Sequence, residues 1–171
     1  MLFRSLVLGV VLVQFAPGAD PGPVETSERP RRPTTPPVAP RQGRQPRPDE
    51  GATTDVFGVH GTGSRFVYLL DRSASMANRG QIALDAARRE VAESLGHLHK
   101  GNEFAVLFFA DTVERFPEGN GAADFAPFSA DAVRHAKDRL RRVRATGHGG
   151  HARAIEEALV MNPDVVFLIT D

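Results

Sequence analysis

The sequence predicts an α/β protein: a Rossmann-like three-layer sandwich with a mostly parallel central sheet. Three apolar runs, "RFVYLLD" (65–71), "EFAVLFFAD" (103–111) and "DVVFLITD" (164–171), are nearly continuous rather than alternating, which suits strands covered on both faces. Helical patterns lie between them, giving the order strand, helix, strand, helix, helix, strand. Each run ends on an acid, at Asp71, Asp111 and Asp171. Right-handed crossovers bring such strand ends to one rim, where open α/β sheets bind ligands.

Residues 1–19 read as an export signal, with Arg4 as the positive start, "LVLGVVLVQFA" as the apolar stretch and Ala16 and Gly18 as small residues for cleavage. The apolar stretch is shorter than the ~20 residues a spanning helix needs. A buried N-terminal strand is the structural alternative, and an uncleaved segment would act as a membrane tether. The expected location is outside the cytoplasm: periplasmic, cell-surface or secreted. Residues 20–54 read as a disordered Pro/Arg-rich linker, because ten of the 13 prolines fall between Pro17 and Pro48 and branched apolar residues are almost absent. Five acids nearly balance its six arginines, which favours a spacer over an anion-binding arm.

Residues 55–171 carry the globular pattern. "GVHGTGSRF" is glycine-rich, but it precedes a strand and lacks the lysine of a phosphate-cradling loop, so it reads as a lead-in to the first strand. "RGQIALDAARREVAESLGHLHK" is a helix with Leu84, Ala87, Val91, Leu95 and Leu98 on one stripe, stopped by Gly101. "TVERF" (112–116) is a short edge strand. "SADAVRHAKDRLRRV" (129–143) is a helix capped by Ser129. "HARAIEEALVMN" (151–162) is a third helix, ended before Pro163.

Formal net charge is zero, from 21 basic and 21 acidic residues, which argues against a nucleic-acid binder. There is no cysteine, which rules out disulfides, thiolate metal sites and a cysteine nucleophile. The arginines at 139, 141, 142 and 144 read as a solvated helix face.

The chemistry concentrates in "DRSAS". Asp71, Ser73 and Ser75 alternate after a strand, so three oxygens can turn toward one point. Hydroxyl and carboxylate oxygens suit Mg²⁺, Mn²⁺ or Ca²⁺. Asp171, at the end of a neighbouring strand, adds a second negative charge. Taken alone, the serines serve equally well as helix N-caps.

"VYLLDRSASM" followed by an amphipathic helix resembles the von Willebrand factor type A domain with its metal-ion-dependent adhesion site, and "VVFLITD" resembles that family's later strand and acid. The resemblance spans roughly residues 64–171. It implies that Ser73 and Ser75 ligate a divalent cation directly, that Asp71 and Asp171 act largely through waters, and that an open position accepts a carboxylate from a protein partner. It also implies a threonine from a second loop. There the chain has "RATGHGGHARAIEEAL", whose threonine position falls near Gly149 or Gly150, and Thr146 is the tentative substitute. His148 and His151 are expected to be exposed loop histidines rather than ligands for a softer metal. Asp111 is expected to stand behind the ligands at most.

The expected role is protein–protein interaction through a bound cation, without catalysis. The enzymatic rival is a hydrolase using Ser73 or Ser75 with His148 or His151 as base and Asp171 behind it; no G-x-S-x-G elbow supports it. A phosphotransfer enzyme with an aspartate nucleophile is weaker, since position 73 is a serine. Further strands follow in the resembled family, so the chain is expected to be a C-terminally truncated piece, with its last strand an unpaired apolar edge.

Overall fold

The computed structural model describes residues 9–14, 51–118 and 124–171. Across its main sheet lie, in spatial order, β1 (Gly9–Gln14), β8 (Val165–Thr170), β4 (Arg65–Asp71), β5 (Glu103–Phe109) and β6 (Val113–Phe116). A two-residue strand, β7 (Ala126–Pro127), pairs with β5. β4 lies between β5 and β8 and is parallel to both. This explains its unbroken burial from Phe66 to Asp71, since neither face of a central parallel strand meets water.

Alternate side chains of these strands feed two cores. On one face Phe66, Tyr68, Leu70, Phe104, Val106 and Phe108 pack against α1 (Asn78–Ser94) and α2 (Ala130–Arg142). On the other, Val67, Leu69, Ala105, Leu107 and Phe109 pack against Ala154 and Ala158 of α3 (His151–Val160). Helices on both faces of the sheet make the expected three-layer sandwich. All five residues of the predicted α1 stripe are buried. Leu95 and Leu98 are buried although the helix ends at Ser94, well before the glycine expected to stop it. Ser129 caps α2 as expected, its hydroxyl accepting from the Ala132 N–H at 3.0 Å.

Two expectations are corrected. The folded part begins before residue 55: β2 (Ala52–Val56) and β3 (Val59–Gly63) form a hairpin. Its turn places Phe57 and Gly58 at φ 50° and 76°, the left-handed pair of a two-residue hairpin loop. The missed signal was the weak alternation in "ATTDV", masked by the proline-rich stretch before it. A buried hydroxyl chain fixes the hairpin to the sandwich. Ser94 Oγ of α1 lies 2.6 Å from Thr54 Oγ1 and 2.9 Å from Tyr68 Oη. Burial pushes the Tyr68 phenol well above its ordinary pKa.

The second correction concerns β8, whose outer edge is not bare. β1 runs antiparallel along it through six residue pairs, from Gly9↔Thr170 to Gln14↔Val165. A β-branched apolar segment satisfies the backbone groups that an edge would expose. Leu12 faces the first core, while Val11 and Val13 point to the open side. The strand alternative for the N-terminal apolar stretch is thus the one the described residues adopt. Arg4, the cleavage-site residues Ala16 and Gly18, and the linker from 20 to 50 lie outside the described residues. Among the described residues no helix is long and apolar enough to cross a membrane.

Candidate functional site

The rim is set from the opposite end of the sheet. Asp164 Oδ2 accepts from the N–H groups of both Ser64 and Arg65 at 2.8 Å, and the Asp164 N–H donates to the Arg65 carbonyl at 2.9 Å. This clamp aligns the starts of β4 and β8, and the parallel register then runs up to Leu70↔Ile169. The next residues, Asp71 and Thr170, come out side by side: the Thr170 hydroxyl donates to Asp71 Oδ2 at 2.7 Å.

Asp71 is almost fully buried, with a side-chain exposure of 2%. Its Oδ1 accepts from the Ser73 N–H at 2.7 Å, which folds the D-x-S-x-S segment into a tight turn. The turn brings Ser73 Oγ within 3.0 Å of Ser75 Oγ, and the Ser75 hydroxyl donates to Asp171 Oδ1 at 2.8 Å. Four of the five residues expected to bind metal are therefore joined in one hydrogen-bonded chain, with Asp71 linked through the Ser73 N–H and the other three through their side-chain oxygens. Ser73 does precede a single 3₁₀ turn (Ala74–Ala77), but its side chain makes no capping hydrogen bond, so capping does not explain the serine.

The fifth residue meets this segment through its backbone. Thr146 is exposed, and its N–H donates to the Arg72 carbonyl at 2.7 Å. The Ala74 N–H in turn donates to the Gly147 carbonyl at 2.9 Å. The second loop thus lies along the D-x-S-x-S turn by its backbone. Further along, a Cβ on Gly149 would stand 3.9 Å from Asp71 Oδ2. Gly150 has no room for a side chain, since a Cβ would fall 2.7 Å from the Ala110 carbonyl oxygen.

His151 is the residue that sequence reasoning set aside. Half exposed, it presents Nε2 at 3.1 Å from Thr170 Oγ1 and 3.5 Å from Asp71 Oδ2. Its ring meets the buried Phe109 edge-on at 5.2 Å. Thr170 was also missed, although both it and Asp71 sit at the ends of neighbouring parallel runs. His148, by contrast, is 98% exposed and lies over Asp111, as expected of a loop histidine. Asp111 accepts from the His148 N–H at 2.9 Å, and this bond, ahead of the nearby imidazole, holds its carboxyl below the usual carboxylate range. Asp111 braces the glycine loop from outside. Gly147, at φ 74°, is compatible with it because a Cβ there would meet Asp111 Oδ2.

Among the described residues no three histidine, cysteine or acidic side chains converge as a metal cluster, so a cation here would need the serine hydroxyls. The donor spacing suits that. Adjacent vertices of an octahedron with metal–oxygen bonds of 2.0–2.1 Å are about 3 Å apart. The Ser73–Ser75 and Ser75–Asp171 separations, 3.0 and 2.8 Å, match that edge. The hydrolase arrangement fits less well: His151 is hydrogen-bonded to Thr170, and His148 faces Asp111.

The arginine face on α2 is largely paired. Arg139 bonds Glu114 at 2.6 Å, and Glu114 also holds Arg72 at 2.8 Å. Arg141 pairs with Asp138. A groove of about 580 Å³ between α1 and α2, lined by residues including Ile82, Arg88 and Leu140, contains none of the rim residues.

Fold and rim together define an α/β sandwich that gathers hydroxyl and carboxylate oxygens at the carboxyl ends of parallel strands. No family model and no curated protein matches the chain. Among solved structures it is similar to a von Willebrand factor type A from Catenulispora acidiphila, at 23% identity and a TM-score of 0.49. The match covers 56% of this chain and 22% of that one, so the chain spans about a fifth of that protein's length.

Proposed function

We propose that the chain is a von Willebrand A-like interaction domain that binds a divalent cation at Asp71, Ser73, Ser75 and Asp171 and offers it to a carboxylate of a protein partner. The observation that carries this reading is the burial of Asp71. A carboxylate taken out of water costs several kcal/mol unless a positive charge compensates it. Among the described residues the basic group within ion-pair distance is His151, at 3.5 Å, and no lysine or arginine is paired with Asp71. A cation beside Asp71 would supply the missing charge, and Ser73 and Ser75 would lend it neutral oxygens. Two carboxylates against one doubly charged ion leave the site near neutrality. An incoming carboxylate is then not repelled, and it would fill a coordination position that the protein does not. Export of the domain, to the periplasm, the cell surface or the medium, belongs to the same proposal. It rests on the charged start and apolar stretch of the first 19 residues, and cleavage of that signal would remove β1 and bare the outer edge of β8.

Isothermal titration of the full chain with Mg²⁺ and Mn²⁺ tests the reading. Saturable binding by the wild type, lost in Asp71→Ala and Ser73→Ala, is expected. Absence of binding, or equal binding in the two variants, sinks it.

A further inference from the structure

We propose that His151 is the second loop's ligand, so that the rim takes a nitrogen-binding divalent ion such as Co²⁺, Ni²⁺ or Zn²⁺ in preference to Mg²⁺ or Ca²⁺. This rests on the cation reading above and narrows it. Three features of the chain build the position. Gly150 brings the chain hard against Ala110 and starts α3 there, so residue 151 begins the helix at the rim. Gly149 leaves space for the ring: a Cβ at 149 would lie 3.1 Å from His151 Cε1. Phe109 supports the ring from the sheet at 5.2 Å, in an edge-on contact. The imidazole is thereby aimed, with Nε2 at 3.5 Å from the buried Asp71 carboxylate. Donors on one tetrahedral ion with bonds of 2.0–2.1 Å stand about 3.3 Å apart, close to that separation.

The proton inventory permits it. Thr170 spends its one hydroxyl proton on Asp71 Oδ2, so in the metal-free protein the 3.1 Å contact makes His151 Nε2–H the donor to Thr170 Oγ1. An incoming ion would displace that proton, breaking the bond to Thr170, and take the Nε2 lone pair, with the ring's remaining proton on Nδ1. An imidazole replaces a hydroxyl in the donor set, and imidazole nitrogen favours the later first-row ions over the hard alkaline-earth ions.

The test titrates the full chain with Mg²⁺, Co²⁺ and Zn²⁺ by calorimetry and records the visible absorption of the Co²⁺ form. The wild type should bind Co²⁺ and Zn²⁺ at least about tenfold more tightly than Mg²⁺, as expected for a nitrogen donor on a first-row ion. His151→Thr should lose that preference, change the Co²⁺ spectrum and retain Mg²⁺ binding. His148→Ala should behave as the wild type and excludes a stray surface histidine. An unchanged Co²⁺ affinity and spectrum in His151→Thr overturns the inference, as does loss of the Co²⁺ signal in His148→Ala instead. The two readings separate cleanly. If Asp71→Asn and Ser73→Ala abolish binding while His151→Thr changes nothing, only the histidine is wrong. If none of the rim variants alters binding, both fall.

Discussion

Replacing Asp71 by asparagine should reverse sign with the metal content of the buffer. The Asp71 carboxylate is 2% exposed and accepts from the Ser73 N–H and the Thr170 hydroxyl, each at 2.7 Å. Hydrogen bonds to a charged acceptor contribute about 1.5–3 kcal/mol each. Against them stands a desolvation cost of several kcal/mol for an uncompensated ion. In chelator the two roughly cancel. The asparagine side chain would keep an oxygen for the Ser73 N–H and turn an amide toward Thr170, losing the charge-assisted part of both bonds but also the desolvation cost. The variant should therefore be neutral or more stable by about 1–2 kcal/mol in chelator. In the presence of a cation at a hundred times its dissociation constant the wild type gains about 2.7 kcal/mol, and the variant should gain almost nothing. Urea unfolding of both full chains, in chelator and in Mn²⁺, reads the crossover. A variant that loses more than about 2 kcal/mol in chelator would mark Asp71 as a structural acceptor of the kind whose loss leaves buried donors unpaired. An equal response of both proteins to Mn²⁺ would remove Asp71 from the site.

Two further predictions concern the second loop. Gly150→Ala sets a Cβ 2.7 Å from the Ala110 carbonyl oxygen, a backbone atom in a sheet-end loop with little freedom to yield. It should cost about 1–3 kcal/mol in urea unfolding, as overpacking does, and weaken cation binding by displacing His151. Asp111 is held below the usual carboxylate range chiefly by the His148 N–H. Because its folded pKa is depressed, its support of the loop is present above the ordinary carboxylate pKa of about 4 and is lost as pH falls through the folded value. The amide protection factor of His148 should drop across that acid range, and Asp111→Asn should abolish the drop.

The strands and helices of the sandwich were legible because their burial is dictated by period. β4, β5 and β8 are buried on both faces and read as unbroken apolar runs, α1 read from its stripe, and α2 read from its Ser129 cap. The hairpin was not legible: Thr53 and Thr62 face solvent across it, and glycines at 61 and 63 carry no pattern. Those glycines answer to neighbours distant in sequence, since a Cβ on Gly61 would meet Val165 at 2.6 Å and one on Gly63 would meet Asp164 at 2.6 Å. At the rim, Asp71, Ser73, Ser75 and Asp171 were legible from spacing and strand order. Thr170 and His151 were not, because a threonine inside an apolar run and a histidine beside glycines are ordinary until register and packing are known.

From the sequence alone, then, the composition, the apolar periods and the D-x-S-x-S turn determined an α/β sandwich with oxygens at strand ends. Those are local properties, written in each segment's own residues. Only the tertiary structure decided which strands adjoin, that Asp164 aligns β4 with β8, that β1 covers the outer edge of β8, and that the His151 imidazole approaches Asp71. These depend on contacts between residues from 19 to about 160 positions apart. Such contacts form only when the summed burial of the whole core holds the segments together, so no single segment records them.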